Sequence, residues 1–157
     1  MNTGMNTGMN TADTLTLAEV LGNGALAIMA YAILGVLLLV AGFYVVDLAT
    51  PGRLSKVIRT DRNPNATVVA ASGVAGVGLI VAASIWSSGG VLREGLLVTL
   101  VFGLVGIAAQ TLCMFAFDKV TGFSVRELVR EPTLQPAAIL LSVTRFVIGL
   151  ITAVAVI

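Results

Sequence analysis

Four long apolar runs decide what this chain can become. They cover roughly Gly24–Ala49, Ala66–Ser87, Gly95–Phe117 and Pro136–Ile157. Each reaches or exceeds the ~20 residues that an α-helix needs to cross about 30 Å of hydrocarbon. Leu, Val and Ala dominate them, without the two-residue alternation of a barrel strand. The sequence therefore predicts an all-α membrane protein with four transmembrane helices. Composition agrees: 57% of the 157 residues are hydrophobic and 11% are charged, where a soluble domain carries about 25% charged residues.

Ahead of the first run stands "MNTGMNTGMNTADTLTLAEV", in which Met-Asn-Thr-Gly occurs twice and then begins again. A polar repeat has little to bury, so residues 1–20 read as a disordered, low-complexity tail. The first apolar run is too long for a cleavable signal peptide, and no basic residue precedes it. Residues 24–157 are then expected to form one membrane domain.

Charge placement gives an orientation. One loop carries Arg53, Lys56, Arg59 and Arg62, and another carries Lys119, Arg126 and Arg130. The short link between the second and third runs holds Arg93 alone, and the N-terminal tail has no basic residue. Basic loops stay on the cytoplasmic side, so both termini are expected outside. In a bacterium this is a multi-pass protein of the inner membrane.

The chain also repeats itself. At an offset of 71 positions Asp47 meets Asp118, Thr50 meets Thr121, Arg59 meets Arg130, Gly35 meets Gly106 and Ala66 meets Ala137. Matches among polar loop residues do not follow from hydrophobic composition. Two tandem helical hairpins, about 24–88 and 95–157, are expected to lie the same way up, related by a pseudo-two-fold axis along the membrane normal. Each basic loop contains apolar residues at helical spacing: Leu54, Val57 and Ile58 in one, Val125, Leu128 and Val129 in the other. Both loops read as short amphipathic helices, either anchored on the inner leaflet or presenting a docking surface to a partner.

The stretches "LGVLLLVAGFYVVDLATPG" and "NPNATVVAASGVAGVGLIVAAS" resemble the DUF350 family of membrane proteins, also labelled UPF0719. Asp47, Thr50, Pro51, Gly52, Asn65, Ala66, Gly73, Gly76 and Gly78 carry the likeness. It spans about residues 25–157 as two copies. The second copy departs from the pattern, with Pro136 in place of Asn65 and with Thr144-Arg145 interrupting the glycine-spaced helix. The resemblance implies an inner-membrane protein of uncharacterised function. It also implies an envelope-associated partner, since the family's genes tend to neighbour polyamine-synthase-like, ATP-grasp and ion-channel-like genes.

Few residues are available for chemistry. Histidine is absent and Cys113 is the single cysteine, so Ser-His-Asp and Cys-His catalysis and the usual His/Cys metal sites are excluded. No basic stretch interleaves with aromatics as a nucleic-acid surface would. The sequence points to a protein that is not an enzyme and needs no cofactor.

The order of "SGVAGVG" is not that of a dinucleotide loop, and no strand precedes it. Ser72, Gly73, Gly76 and Gly78 read instead as a helix-packing face. Asp47 and Asp118 lie near helix C-termini, where the macrodipole disfavours an anion. Each is expected to find a cation, with Arg59 and Arg130 as candidates. Such pairs would pin the loop helices or, alternatively, draw cations toward a vestibule.

Arg145 sits about 14 Å into the last run and Gln110 about 12 Å into the third, counted from the basic-loop side at 1.5 Å per residue. Their equal depth suggests a hydrogen-bonded clamp, with Thr111, Thr144 or backbone carbonyls taking part. A polar site for an anion, a headgroup or a partner's carboxylate is the alternative, and snorkelling to an interface is a third. Two functions remain open. One is a scaffold or subunit that packs with itself or with another membrane protein. The other is an oligomeric conduit for an ion or small solute, using the polar residues of the second repeat.

Overall fold

The computed structural model describes residues 9–49, 54–89, 91–122, 125–128 and 131–157. They form helices α1 (Met9–Ala49), α2 (Leu54–Thr60), α3 (Pro64–Trp86), α4 (Leu92–Thr121), α5 (Val125–Leu128) and α6 (Pro136–Val156). Helices α1, α3, α4 and α6 are long and apolar enough to cross a membrane. Helices α2 and α5 occupy the two loops.

Local chemistry sets several boundaries. Pro64 and Pro136 open α3 and α6, where a missing N–H costs nothing. Asn63 caps α3 by accepting from the Ala66 N–H at 3.1 Å. Helix α4 stops at Gly122, whose φ of 69° only glycine adopts without strain, and whose N–H returns to the Asp118 carbonyl.

Helix α1 departs from the expected tail. It starts at Met9 and so includes much of the stretch read as disordered. No proline or glycine interrupts residues 9–21. Extending an existing helix costs far less than nucleating one, so the transmembrane segment carries this stretch with it.

Helix α3 is the centre of the bundle, packing against α1, α2, α4 and α6. Its most extensive partner is α6. Lipid supplies no hydrophobic drive between helices, so their association depends on close backbone approach and fit. Small residues provide it: Val77 of α3 seats over Gly42 of α1, Leu38 of α1 over Gly103 of α4, and Ile80 of α3 over Gly106 of α4. Gly76 and Gly149 bring the α3 and α6 backbones into contact.

The loop helix α2 is not free to lie in a leaflet. Val57 and Ile58 pack, together with Phe117, onto the buried cluster Ala66, Val69, Ala70 and Leu141. Two residues of the apolar face expected to enter lipid, Val57 and Ile58, are thus partly buried against the bundle's own end, while Lys56 and Arg59 are exposed.

One asparagine ties the halves together. Asn65 is fully buried and donates to the carbonyls of Glu131 (3.0 Å) and Thr133 (2.8 Å), while its oxygen accepts from the Gln135 N–H at 2.8 Å. Asn63 adds a bond to the Glu131 carbonyl at 2.8 Å. The first hairpin thus grips the connection that leads into α6.

The α3–α6 contact yields a direct test. Gly149→Leu should lower stability by about 2–3 kcal/mol or prevent folding, since overpacking here meets backbone. Ile151→Leu, on the 63% exposed side of α6, should stay within about 0.5 kcal/mol of the parent. Thermal unfolding in detergent reads both, and equal tolerance would refute the contact.

Candidate functional site

The polar residues of the interior gather where α4 and α6 pass α3. Arg145 is buried, and its Nη2 donates to Asp118 Oδ2 at 3.1 Å. Gln110 is also buried, and its Nε2 donates to the Gly73 carbonyl of α3 at 3.3 Å. On α4, Gln110, Met114 and Asp118 recur every four residues, placing them on one face. On α6, Arg145 and Gly149 are likewise one turn apart.

This arrangement replaces the expected Gln110–Arg145 clamp with two separate bonds. Equal backbone depth does not by itself bring two side chains together, because each also has a direction. Side chains lean toward the N-terminus of their own helix. Helices α4 and α6 run in opposite directions, so Arg145 leans toward the end of the bundle where Asp118 lies. Asp118 leans inward to meet it. The arginine is therefore matched by a carboxylate rather than by a carboxamide at its own level.

The cation expected for Asp118, Arg130, lies outside the described residues; the partner seen for Asp118 is Arg145. In the first repeat, Asp47 is half-buried and engaged in an interaction, and Arg59 is exposed on α2. Thr111 and Thr144 do not join the cluster through their hydroxyls. Each donates back to its own helix, to Ile107 at 2.7 Å and to Leu140 at 3.0 Å.

The glycine-rich face of α3 divides between neighbours. Gly73 faces Val46 of α1 and Met114 of α4, whereas Gly76 faces Gln110 and Gly149. Gly78 has Leu39 beside it at 3.8 Å, and Ser72 donates to the Val69 carbonyl at 2.8 Å. The α3–α6 connection held by Asn65 was not expected from residue types. Its only signal was the place of Asn65 in the family-like motif.

Arg145 is buried and Asp118 partly exposed, so the pair is costly to split from the Asp118 side. Removing one partner strands the other and costs about 3–5 kcal/mol, while replacing both by apolar groups is often neutral. Asp118→Leu, which leaves the buried Arg145 uncompensated, should therefore destabilise the protein by about 3–5 kcal/mol. Adding Arg145→Leu should recover most of that loss. A double variant no more stable than the single, by unfolding in detergent, would show the pair to be uncoupled.

Residues 18–156 match the family described as Domain of Unknown Function (DUF350). A UPF0719 transmembrane protein of Mycolicibacterium paratuberculosis is 35% identical over 134 residues, covering 85% of this chain and 89% of the relative. A UPF0719 transmembrane protein of Mycobacterium bovis is 33% identical over 124 residues, covering 79% and 81%. One of Mycobacterium tuberculosis matches to the same extent. No solved structure matches the chain. The family match runs through all four apolar helices and takes in Asn65, Gln110, Asp118 and Arg145, so this chain is a transmembrane protein belonging to the DUF350 family.

Proposed function

We propose that the protein is a non-enzymatic scaffold or subunit of an envelope-associated assembly in the inner membrane of a bacterium. The observation that carries this reading is the use made of its buried polar side chains. Asn65 holds the 131–135 connection, Arg145 holds Asp118, and Gln110 holds Gly73. Each joins parts of the domain to one another. Outside, α1 and α4 present large apolar side chains, including Leu37, Val40, Val101, Val105 and Leu112. Lipid, a second copy or another membrane protein would cover that surface.

The orientation proposed is both termini outside and the α2 and α5 loops in the cytoplasm. Seven of the eight basic residues in the connecting loops support it. Trp86, 83% exposed at the far end of α3, suits the opposite interface. The conduit remains a second reading for one reason: Gln110, Asp118 and Arg145 keep unpartnered polar atoms inside the bundle. Contact between Gly76 and Gly149 closes the chain's own interior at that level, so a path would have to run between copies.

Two measurements test the proposal. In a Cys113→Ala background, Val91→Cys should react with an impermeant maleimide in intact cells. Thr60→Cys should react only after permeabilisation, and the reverse pattern would invert the topology. Purification in mild detergent, followed by native mass measurement, should recover the chain with further copies or with a stoichiometric membrane partner. Copies without another protein, together with ion flux in proteoliposomes that Arg145→Leu abolishes, would favour the conduit over the scaffold, and a lone monomer without flux would refute both.

A further inference from the structure

Helix α1 is longer than the helices it packs against. Its apolar span, Leu17–Leu48, has 32 residues, about 48 Å at 1.5 Å per residue. Hydrocarbon is about 30 Å thick, so about 18 Å is left over. The surplus lies at the N-terminal end. Tyr31 reaches the link between α3 and α4, where its hydroxyl stands 3.0 Å from that of Ser88. That link, with Trp86 before it and Arg93 and Glu94 after it, marks the end of the bundle. Beyond it α1 stands alone, and every residue from Leu17 to Leu26 is exposed.

The face left bare continues one already in use. Within the bundle α1 packs through Tyr31, Gly35, Leu38, Gly42 and Val46. They recur at steps of three and four and so share one side of the helix. The same steps carried toward the N-terminus reach Ile28, Gly24, Leu21 and Leu17, about 16 Å of helix. Glu19 and Asn23 fall on the other side. The glycines of this stripe act as notches: Val81 lies against Gly35 and Val77 against Gly42. At Gly24 nothing beyond α1 itself comes within 4 Å of where a side chain would begin.

Three occupants compete for this face. Lipid would have to rise past the α3–α4 link and immerse Arg93 and Glu94, which is costly for charges. A second copy enters the membrane the same way up. Its one element at this height, among the described residues, is its own α1, which would continue down into the space that α3 and α4 fill. A helix of a different protein carries no such continuation and can end above the link.

We propose that Leu17, Leu21, Gly24 and Ile28 form a docking face for an amphipathic helix of a second protein, on the side of the membrane opposite α2 and α5. A large apolar side chain of that helix seats over Gly24, as Val77 does over Gly42. The face itself is uncharged, so the partner's contact stripe is apolar and the association follows helix-to-helix recognition. The proposal rests on the reading of the protein as a subunit of an assembly, and it names the surface used.

The full-length Cys113→Ala protein provides the test. In nanodiscs holding this chain alone, a nitroxide on Leu21→Cys should be relaxed more by a water-soluble nickel chelate than by oxygen. The reverse would place the face in lipid and overturn the proposal. In living cells of the source bacterium, p-benzoylphenylalanine is then placed at position 21 or, as a control, at position 19. Irradiation should give an adduct at position 21 at least about tenfold above the control, mapped to an apolar helical segment of another protein. Gly24→Leu, which meets no other part of its own chain, should leave thermal unfolding unchanged and lower that adduct at least about tenfold. An adduct with a second copy, or none at position 21, would overturn the docking face. A stoichiometric partner that still co-purifies with Gly24→Leu would do the same while leaving the scaffold reading intact.

Discussion

Contact between α3 and α6 at Gly76 and Gly149 fixes the geometry of the parts around it. A side chain on either glycine would strike the other helix, and in lipid such fit replaces the hydrophobic effect as the source of association. With the two backbones touching, the Gln110 amide lies beside Gly76 and reaches the Gly73 carbonyl. Arg145, one turn from Gly149, is carried to the side of α4 where Asp118 stands. The polar cluster is thus a consequence of where two helices cross.

The two hairpins contribute different things to this arrangement. At the repeat offset, Asn65 corresponds to Pro136, Val74 to Arg145 and Leu39 to Gln110. The first copy keeps the asparagine and uses it on the connection that introduces α6. The second hairpin has Pro136 at that offset and carries the arginine and the glutamine. One of these bonds its own hairpin through Asp118, and the other bonds α3 of the first. The Asn65 and Gln110 bonds therefore cross between the hairpins, whereas the Arg145–Asp118 pair lies within the second.

Buried polar groups in a membrane domain are expensive, and here the interactions they make join helices. A charge at the centre of a span costs at least about 2.5–3.5 kcal/mol on insertion scales. Arg145 reduces that cost by reaching Asp118 near the end of α4. Asn65 satisfies three backbone groups in a connection that has no helix to satisfy them. Lys56 and Arg59 of α2 are left outward while Val57 and Ile58 pack against the bundle.

The number of helices and several of their ends were legible in the sequence. Apolar length is a sum over neighbouring residues, and Pro64, Pro136 and Gly122 act on their own backbone, so neither needs knowledge of the fold. The family likeness was legible too, through "NPNATVVAASGVAGVGLIVAAS". The reach of α1 back to Met9 was not, because a polar repeat has no helical signal of its own and takes its conformation from the segment it continues. Nor were the pairings of Arg145 and Gln110 or the docking of Val57 and Ile58. These depend on the crossing point of α3 and α6, on the axial offset of α4, and on which way each side chain leans. All three are set by contacts between residues far apart in the chain, and only the tertiary structure decides them.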